Sequence, residues 1–401
     1  MSNTAVTCAI IAKVALPILK NMCSFASMVN RDYEGEFAGN VSRGYMPGQT
    51  INIKKPPRYT YRTGAVAVPQ STVDTTIPLT LQQGGCDLNF TSAEKTLSFN
   101  KLEDKVAAAC ATVANEIDRQ GLLLAHYSTF NTLGTPGALP TTQALAIAAC
   151  TGLNTRLDQM GAPRDKQRAL VMDPTLNGSM VQGFAGLFNN QATIGKQFGS
   201  GMMVDSLGLA YAMDQNVSTH TNGTQAVAGV NINGAGQSGA AITVQALTGT
   251  ITKGTVITLP GSFAVNPQSR VSNNVLAQFV VTADLAIGAT SIPVSPALVV
   301  TGAFKNVTAS PTDAAPFVIF GTASGSYTNN VAYHKDAFTL AMVPMWAPKA
   351  GVIDVSQMTS DGFTLKVTEF YDGVNDNAIT RIDVLFGWAA PYPELSSKYA
   401  V

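Results

Sequence analysis

The middle of the chain contains a long stretch that is almost free of charge. Residues 224–332 hold only five charged side chains, whereas residues 1–222 hold 32 and residues 333–401 hold 13. Short β patterns separated by turn residues recur along this stretch, which is typical of an all-β barrel or sandwich. Because more charged segments flank it, the sequence predicts a β-domain inserted into another domain. The predicted strands lie at 241–244, 256–259, 277–281, 291–294 and 317–320.

Charge is also scarce in the whole chain. Only 12% of its 401 residues are charged, against about 25% in an ordinary soluble domain. So few charges are typical of a membrane protein, of an extracellular β-scaffold, or of a subunit that makes extensive contacts with copies of itself. A membrane is not expected, because Lys13 and Pro17 interrupt the longest apolar stretch well before the roughly 18 residues that span a bilayer. The same stretch lacks the basic start of a signal peptide.

The cysteines and the charge balance exclude further classes. Five cysteines at wide spacings, with no C-x-x-C pair, form neither a disulfide framework nor a zinc site. We therefore expect no metal, no cofactor and a reducing cytoplasm. Basic and acidic residues number 25 each, which argues against a dedicated nucleic-acid-binding protein. A neutral chain also has little repulsion between copies, which favours self-association.

Apolar periodicity predicts several helices. Residues 4–28 have a helical pattern interrupted at Pro17, as in an amphipathic arm. A very long helix is predicted over 101–127, about 40 Å in length, with a capping box formed by Asn100 and Glu103. A second helix is predicted over 142–160, with Thr141 as its cap and Leu145 in its apolar stripe. A third begins at Asp173-Pro174 and places Met180, Phe184, Leu187 and Phe188 on its apolar face.

Residues 46–97 are predicted to form a long β-hairpin with a turn at 63–65 or near Pro69. Its first strand carries a cluster of basic and aromatic residues that could bind nucleic acid. We favour an inter-subunit contact with a neighbour's acidic surface, around Asp87, Glu94, Glu103 and Asp104, because a two-stranded hairpin needs support. The candidate contact residues are Lys54, Lys55, Arg58, Tyr59, Tyr61 and Arg62.

No pattern in the sequence predicts an enzyme. The three histidines are far apart in sequence and lack a nucleophile motif. His126 is predicted to carry a favourable charge at the end of the long helix. Residues 194–197 lack the residues of a phosphate-binding loop. Residues 372–377 resemble a calcium loop but are better explained as a solvated turn between strands.

Three stretches resemble the major coat proteins of tailed bacteriophages, in particular the short-tailed branch. They are GSGMMVDSLG at 199–208 continuing into 213–221, NNVLAQ at 273–278, and the strand 382–388. The order of elements is also similar to that family. The resemblance implies an α+β capsid fold with an N-terminal arm (1–45), an extended hairpin loop (46–97), a spine helix with the first part of the peripheral and axial domains (98–222), an insertion domain (224–332) and the second part of those domains (333–401).

The resemblance also implies a function and partners. The chain would assemble with itself, as hexamers and pentamers, into an icosahedral shell around double-stranded DNA, contacted non-specifically on the inner face. Assembly would take place in the bacterial cytoplasm. The portal is a further implied partner, and since the sequence begins at Met1 we expect a separate scaffolding protein. Covalent cross-links are not expected. The alternative is an extracellular surface-layer or adhesin-like β-rich protein, which leaves the long helix unexplained.

Overall fold

A computed structural model describes residues 8–34, 50–67, 69–70, 75–91, 102–184, 205–348 and 350–401. The chain divides into two compact units. Residues 1–53, 77–121 and 338–389 form the first unit, and residues 54–76, 122–337 and 390–401 form the second. Each unit therefore combines segments that are distant in sequence.

The first unit begins with helix α1 (Cys8–Met22). Its apolar face is buried through Ile11, Leu16 and Leu19, and the backbone N–H of Cys8 donates to Asp354 Oδ2 over 2.7 Å. The helical pattern is confirmed, but the expected interruption at Pro17 is wrong because the helix continues through it. Burial of apolar side chains on both sides offsets the lost backbone hydrogen bond.

Helix α1 packs against the sheet of the first unit. This sheet has the strand order β14 (Thr339–Met342), β17 (Asn377–Ala389), β16 (Phe363–Asp372) and β15 (Asp354–Ser360), and β3 (Gln82–Thr91) also pairs with β17. All of these pairings are antiparallel. Strand β17 contains the strand 382–388 that the sequence analysis identified.

The predicted long helix is α2 (Leu102–Ser128), and its 27 residues span about 40 Å. The capping box lies outside the described residues. On the buried side, Asp118 accepts hydrogen bonds from the backbone N–H groups of Ser24, Phe25 and Ala26, at 2.6, 3.1 and 2.9 Å. This carboxylate therefore binds the chain that follows α1 to the long helix.

The predicted hairpin is present but shorter than expected. Strand β1 (Thr50–Lys55) pairs with β2 (Thr75–Thr80), and the hydroxyls of Thr50 and Thr80 lie 3.0 Å apart. The described residues between the two strands contain no strand, with bends at 64–66 and a positive φ of 95° at Gly64. The strand after the hairpin, β3, pairs with β17 instead of extending it.

The second unit contains a mixed sheet covered by two helices. Its strand order is β4 (Thr132–Gly134), β18 (Ser396–Ala400), β13 (Ser326–His334), β5 (Arg168–Met172) and β6 (Ala210–Met213), with β7 (Thr219–Thr221) also paired to β13. Helices α3 (Gln143–Gln159) and α4 (Pro174–Phe184) bury Cys150, Leu153 and Met180 against it. Both helices were predicted from the sequence.

Details of these two helices differ from the sequence analysis. The cap of α3 is Thr142 rather than Thr141, because the Thr142 side chain accepts the N–H of Leu145. Leu145 itself is 52% exposed and lies outside the apolar stripe. The predicted cap of α4 is confirmed, since Asp173 accepts the N–H of Leu176 over 3.2 Å. Leu187 and Phe188 lie outside the described residues.

The charge-poor stretch forms a second, antiparallel sheet in the same unit. Its order is β12 (Val318–Ile319), β9 (Val256–Val265), β10 (Ser272–Val281), β11 (Ser291–Leu298) and β8 (Gly239–Thr243). All five predicted strand positions are confirmed. The core of this sheet includes Ile257, Phe279 and Ile292. Within the predicted insertion, β13 already belongs to the mixed sheet from Ser326 onward.

The two ends of this stretch lie side by side. The backbone N–H of Asn222 donates to the carbonyl of Gly325, and the N–H of Ser324 donates to the carbonyl of Gly223, both over 2.9 Å. The Asn222 side chain adds hydrogen bonds to the carbonyls of Phe320 and Thr322. The chain therefore enters and leaves the β-rich stretch at one place.

Candidate functional site

The predicted contact residues lie at the end of β1 and in the segment that follows it. This segment, residues 54–62, is called the basic segment below. Its members differ in exposure, and the side chain of Tyr61 is 93% exposed. Lys54, Tyr59, Tyr61 and Arg62 are exposed, whereas Lys55 and Arg58 are half-buried. The structure thus separates the group into side chains that face solvent and side chains that pack on their own chain.

The two half-buried cations contact the C-terminal part of the chain. Arg58 forms an ion pair with Glu394, with 3.0 Å between Nη2 and Oε1, and the two side chains are 34% and 20% exposed. The Lys55 ammonium lies 5.4 Å from the ring centre of Tyr392, a cation–π distance. Burial lowers the pKa of Lys55, and the nearby Glu394 carboxylate opposes that effect.

A third contact comes from the turn between β9 and β10. Arg270 in this turn donates from Nη2 to the carbonyl of Tyr59 over 2.7 Å and to the carbonyl of Ala303 over 3.1 Å. The Arg58 guanidinium lies 5.9 Å from the ring centre of Phe304, the residue after Ala303. The basic segment is therefore bound through its backbone as well as its side chains.

Beyond these contacts the chain forms a loop, whose residues 60–67 are called the tip below. Gln70 closes the loop, because its side-chain amide accepts the N–H of Thr60 over 2.8 Å and donates to the carbonyl of Thr60 over 2.7 Å. Arg62 donates to the carbonyl of Gly64 within the loop. Val66 is 80% exposed, so the tip presents both aromatic and aliphatic surface to solvent.

The acidic partner expected for the basic group is only partly described. Asp87 lies 3.6 Å from Arg381 Nε. Glu94 and the side chains of Glu103 and Asp104 lie outside the described residues. The partner that the structure gives to Arg58 is Glu394, which sequence reasoning missed because 336 positions separate the two. Contact between the basic segment and a neighbouring subunit stays a prediction.

Two of the three histidines lie together although they are distant in sequence. His126 Nε2 is 3.2 Å from His220 Nδ1, and His220 Nε2 is 3.1 Å from the Thr255 hydroxyl. Thr255 and both histidines are buried. Burial and the Lys398 ammonium lower the pKa of His220 to about 4 and that of His126 well below its ordinary value. The pair is therefore neutral at pH 7.

The predicted charge on His126 at the end of α2 is consequently wrong. The cation at this helix end is Lys398, whose ammonium donates to the carbonyl of His126 over 3.0 Å. Lys398 is fully buried, and burial lowers its pKa to about 7. A cation at a helix C-terminus is favourable, but here it comes from β18 and not from the helix.

The other residues considered in the sequence analysis form local structural contacts or lie outside the described residues. His334 Nε2 lies 3.1 Å from Asp165 Oδ1. Asp372 accepts the N–H of Val374 and the side-chain amide of Asn375, as in the predicted turn between strands. Residues 194–197 lie outside the described part of the chain. Among the described residues, no three His, Cys, Asp or Glu side chains are grouped to hold a metal.

The thiols and the helices add two further observations. Cys8, Cys23, Cys110 and Cys150 are buried and Cys86 is half-buried. Burial raises the pKa of Cys110 to about 11, as expected for a thiol in an apolar setting. None of the helices in the described ranges is both long and apolar enough to span a bilayer.

Comparison with known proteins identifies one matching family. Residues 89–397, about three quarters of the chain, match the family described as "P22 coat protein - gene protein 5". No curated protein sequence matches the chain significantly.

Several solved structures match this chain at low sequence identity. A structure from Mycobacterium phage Che8 has a TM-score of 0.50 at 12% identity, covering 94% of this chain and 90% of the other. The mature capsid of bacteriophage PhiM1 has a TM-score of 0.43 at 10% identity, covering 88% and 82%. The capsid of Myoviridae phage XM1 has a TM-score of 0.41 at 8% identity, covering 100% and 94%.

Proposed function

The chain belongs to the P22 coat protein family, and from this premise we propose how it builds the shell of a tailed phage. It is a structural subunit of the virion capsid. The family match over residues 89–397 is the observation that carries this conclusion. The mixed helix and sheet architecture, with its long α2 helix, agrees with it. The alternative, an extracellular surface-layer or adhesin-like protein, is not favoured by the family match.

The subunit assembles with copies of itself into a closed icosahedral shell of hexamers and pentamers. A separate scaffolding protein and a portal assist assembly, and double-stranded DNA is the packaged cargo. The neutral net charge supports weak, non-specific contact with DNA, since strong phosphate binding needs a basic surface. The protein catalyses no reaction.

The basic segment and the tip contribute to contacts between subunits. Tyr61 and Val66 are large side chains at 93% and 80% exposure, and aromatic residues are common energetic centres of protein interfaces. Lys54 and Arg62 are exposed cations of the basic segment. Obligate interfaces often bury more than about 2,000 Å², so these residues would form one part of a larger contact.

Electron microscopy of the purified full-length protein, alone and with its scaffolding protein, tests this function. We expect closed shells of uniform diameter built from one chain. Sheets, fibres or permanent monomers under both conditions would contradict the proposal. Tyr61→Ser tests the tip: the variant should fold as the wild type does but assemble more slowly. Val374→Ser removes a similarly exposed side chain, at 91%, from the turn between β16 and β17 and serves as the control.

A further inference from the structure

We propose that Cys86 and Cys110 form a redox-active pair, and that their oxidation to a disulfide links strand β3 to helix α2 within one subunit. Cys86 lies on β3 and Cys110 lies on α2. Cys110 is fully buried, whereas Cys86 is half-buried. A small reagent therefore reaches Cys86 before it reaches Cys110. The pairing concerns one folded chain and is independent of the proposed function.

Two contacts fix the position of β3 along α2. The side-chain amide of Gln82 donates to that of Gln120, and the Lys105 ammonium lies 4.8 Å from the ring centre of Phe90. The strand and the helix therefore run in opposite directions over this stretch. The strand from Gln82 to Phe90 spans about 26 Å, and the helix from Lys105 to Gln120 spans about 22 Å. The two similar lengths place β3 alongside α2.

Cys86 lies on the face of β3 that contacts α2. It is midway between the two contacts along the strand, and the corresponding midpoint of the helix falls near Val113, within one turn of Cys110. Side chains two residues apart on a strand share a face, so Cys86 points the same way as the two contacting side chains. The exposure along β3 agrees, because even-numbered positions 84–90 are at least half-buried and odd-numbered positions 83–91 are exposed.

Cys110 belongs to the buried side of α2 that faces the sheet of the first unit. On this side Trp388 of β17 donates from Nε1 to the carbonyl of Ile117 over 3.1 Å. Ile382 of β17 is the strand partner of Cys86 and is fully buried. Burial, and after it the nearby Cys86 thiol, raises the pKa of Cys110 to about 11. Because an electrostatic effect of this kind fades with distance, the two sulfur atoms are close.

The oxidant is a small-molecule disulfide, for which oxidised glutathione serves as the probe. The Cys86 thiolate attacks one of its sulfur atoms, which breaks the glutathione S–S bond, forms a mixed disulfide and releases one glutathione thiolate. The Cys110 thiolate then attacks the Cys86 sulfur, forms the protein disulfide and releases the second glutathione thiolate. The two protons that the cysteines lose pass through solvent to the released thiolates. The cysteine pair is thereby oxidised by two electrons, and the small disulfide is reduced by two.

The surroundings of the subunit decide whether the pair is closed. A reducing cytoplasm keeps both thiols, whereas an oxidising medium favours the disulfide. The link joins two positions of one chain, so it leaves separate subunits separate. It connects β3, which follows the hairpin of β1 and β2, covalently to α2. Amides of β3 should therefore exchange hydrogen more slowly after oxidation.

Treatment of the purified, full-length, unassembled subunit with oxidised glutathione tests the pairing. After unfolding and alkylation, the intact mass should show three alkylated cysteines instead of five and no bound glutathione. Peptide mapping should place the disulfide between Cys86 and Cys110. The mixed disulfide should decay about tenfold faster for each unit of pH between about 7 and 9, because the pKa of Cys110 is about 11.

Two variants separate the steps of the reaction. Cys110→Ala should stop after the first step, with glutathione bound at Cys86. Cys150→Ala removes an equally buried thiol from α3 and should close as the wild type does, so it is the matched control. Glutathione that stays on Cys86 of the wild type would show that Cys110 is out of reach and would overturn the proposal. An unreactive wild type, or a link from Cys86 to another cysteine, would overturn it as well, even if Cys110→Ala fails to fold.

Discussion

Replacing Asp118 by alanine should destabilise the first unit more than any exposed substitution on the same helix. The carboxylate accepts three backbone N–H groups, from Ser24, Phe25 and Ala26. Asp118 is 1% exposed, and Phe25 and Ala26 are fully buried. Water therefore cannot replace the lost acceptor unless the chain after α1 moves.

The magnitude follows from the groups left without an acceptor. A buried donor that loses its partner costs about 1–3 kcal/mol, and hydrogen bonds to charged groups lie at the upper end. Two fully buried N–H groups and one half-buried N–H group then give a loss of about 4 kcal/mol in the free energy of unfolding. Asp118→Asn keeps one oxygen acceptor but turns an N–H donor towards the other amides, so we expect about half of that loss.

The assay uses a tryptophan that lies beside the site. The Trp388 ring stacks on Phe25 with centroids 5.2 Å apart, and its Nε1 donates to the carbonyl of Ile117 over 3.1 Å. In a Trp346→Phe background, fluorescence of Trp388 during urea unfolding reports on the first unit alone. Glu116 on the same helix has a side chain that is 46% exposed and paired with Arg119. It supplies the control variant Glu116→Ala, whose cost should stay below about 1 kcal/mol.

The result that would refute this reasoning is a small effect. If Asp118→Ala and Glu116→Ala shift the urea midpoint equally, the three hydrogen bonds do not contribute to stability as calculated. A large loss for Asp118→Ala with a changed m-value would indicate an altered unfolded or native state instead.

Four further outcomes are expected. Gly121→Ala should destabilise the protein by about 1–3 kcal/mol, because the added Cβ would lie 2.5 Å from Trp388 Cζ2 and 2.8 Å from Phe25 Cδ1. Gly152→Ala, whose Cβ has its nearest contact at 3.5 Å, should be neutral or stabilising. Thermal unfolding of both variants measures the difference. The free energy of unfolding should fall as the pH is lowered from 6.5 to about 4, because His220 is protonated at its ordinary pKa in the unfolded chain but only near pH 4 in the folded chain. The loss approaches about 3 kcal/mol. Urea unfolding of His220→Gln should show a weaker pH dependence. Residues 224–332 expressed alone should give a dispersed amide spectrum with strand shifts, since the ends of the stretch lie together at Asn222 and Gly325, and a random-coil spectrum would contradict this. Purified shells boiled in detergent without reductant should release one band at 41.9 kDa, and a ladder that survives reductant would reveal side-chain cross-links.

Elements with regular spacing could be predicted from the sequence. Apolar residues at steps of three and four gave the extent of α2 to within one residue, and alternating patterns located the five strands of the charge-poor sheet. Asp173 and Pro174 marked the start of α4 for the same local reason. Helices and strands satisfy their hydrogen bonds locally or with repetitive partners, so that the pattern along the chain already contains the relevant information.

Sequence patterns failed where the outcome depended on a distant packing partner. Pro17 was expected to interrupt a helix that continues through it, since the free energy of burying its neighbours is not visible in the local sequence. His126 was expected to be charged. This expectation was wrong because its neighbours in space, His220 and Lys398, are 94 and 272 positions away in the sequence. Burial, which determines this protonation state, is a property of the folded chain.

The same distinction applies to the candidate site. The sequence by itself determined that residues 54–62 carry four cations and two tyrosines after a strand, and that two prolines end that strand. Only the tertiary structure decided that Arg58 binds Glu394 and that Arg270 binds the carbonyl of Tyr59. The physical reason is that an ion pair acts over a few ångströms in space and imposes no spacing on the sequence. Its partners become neighbours only when the rest of the chain has packed.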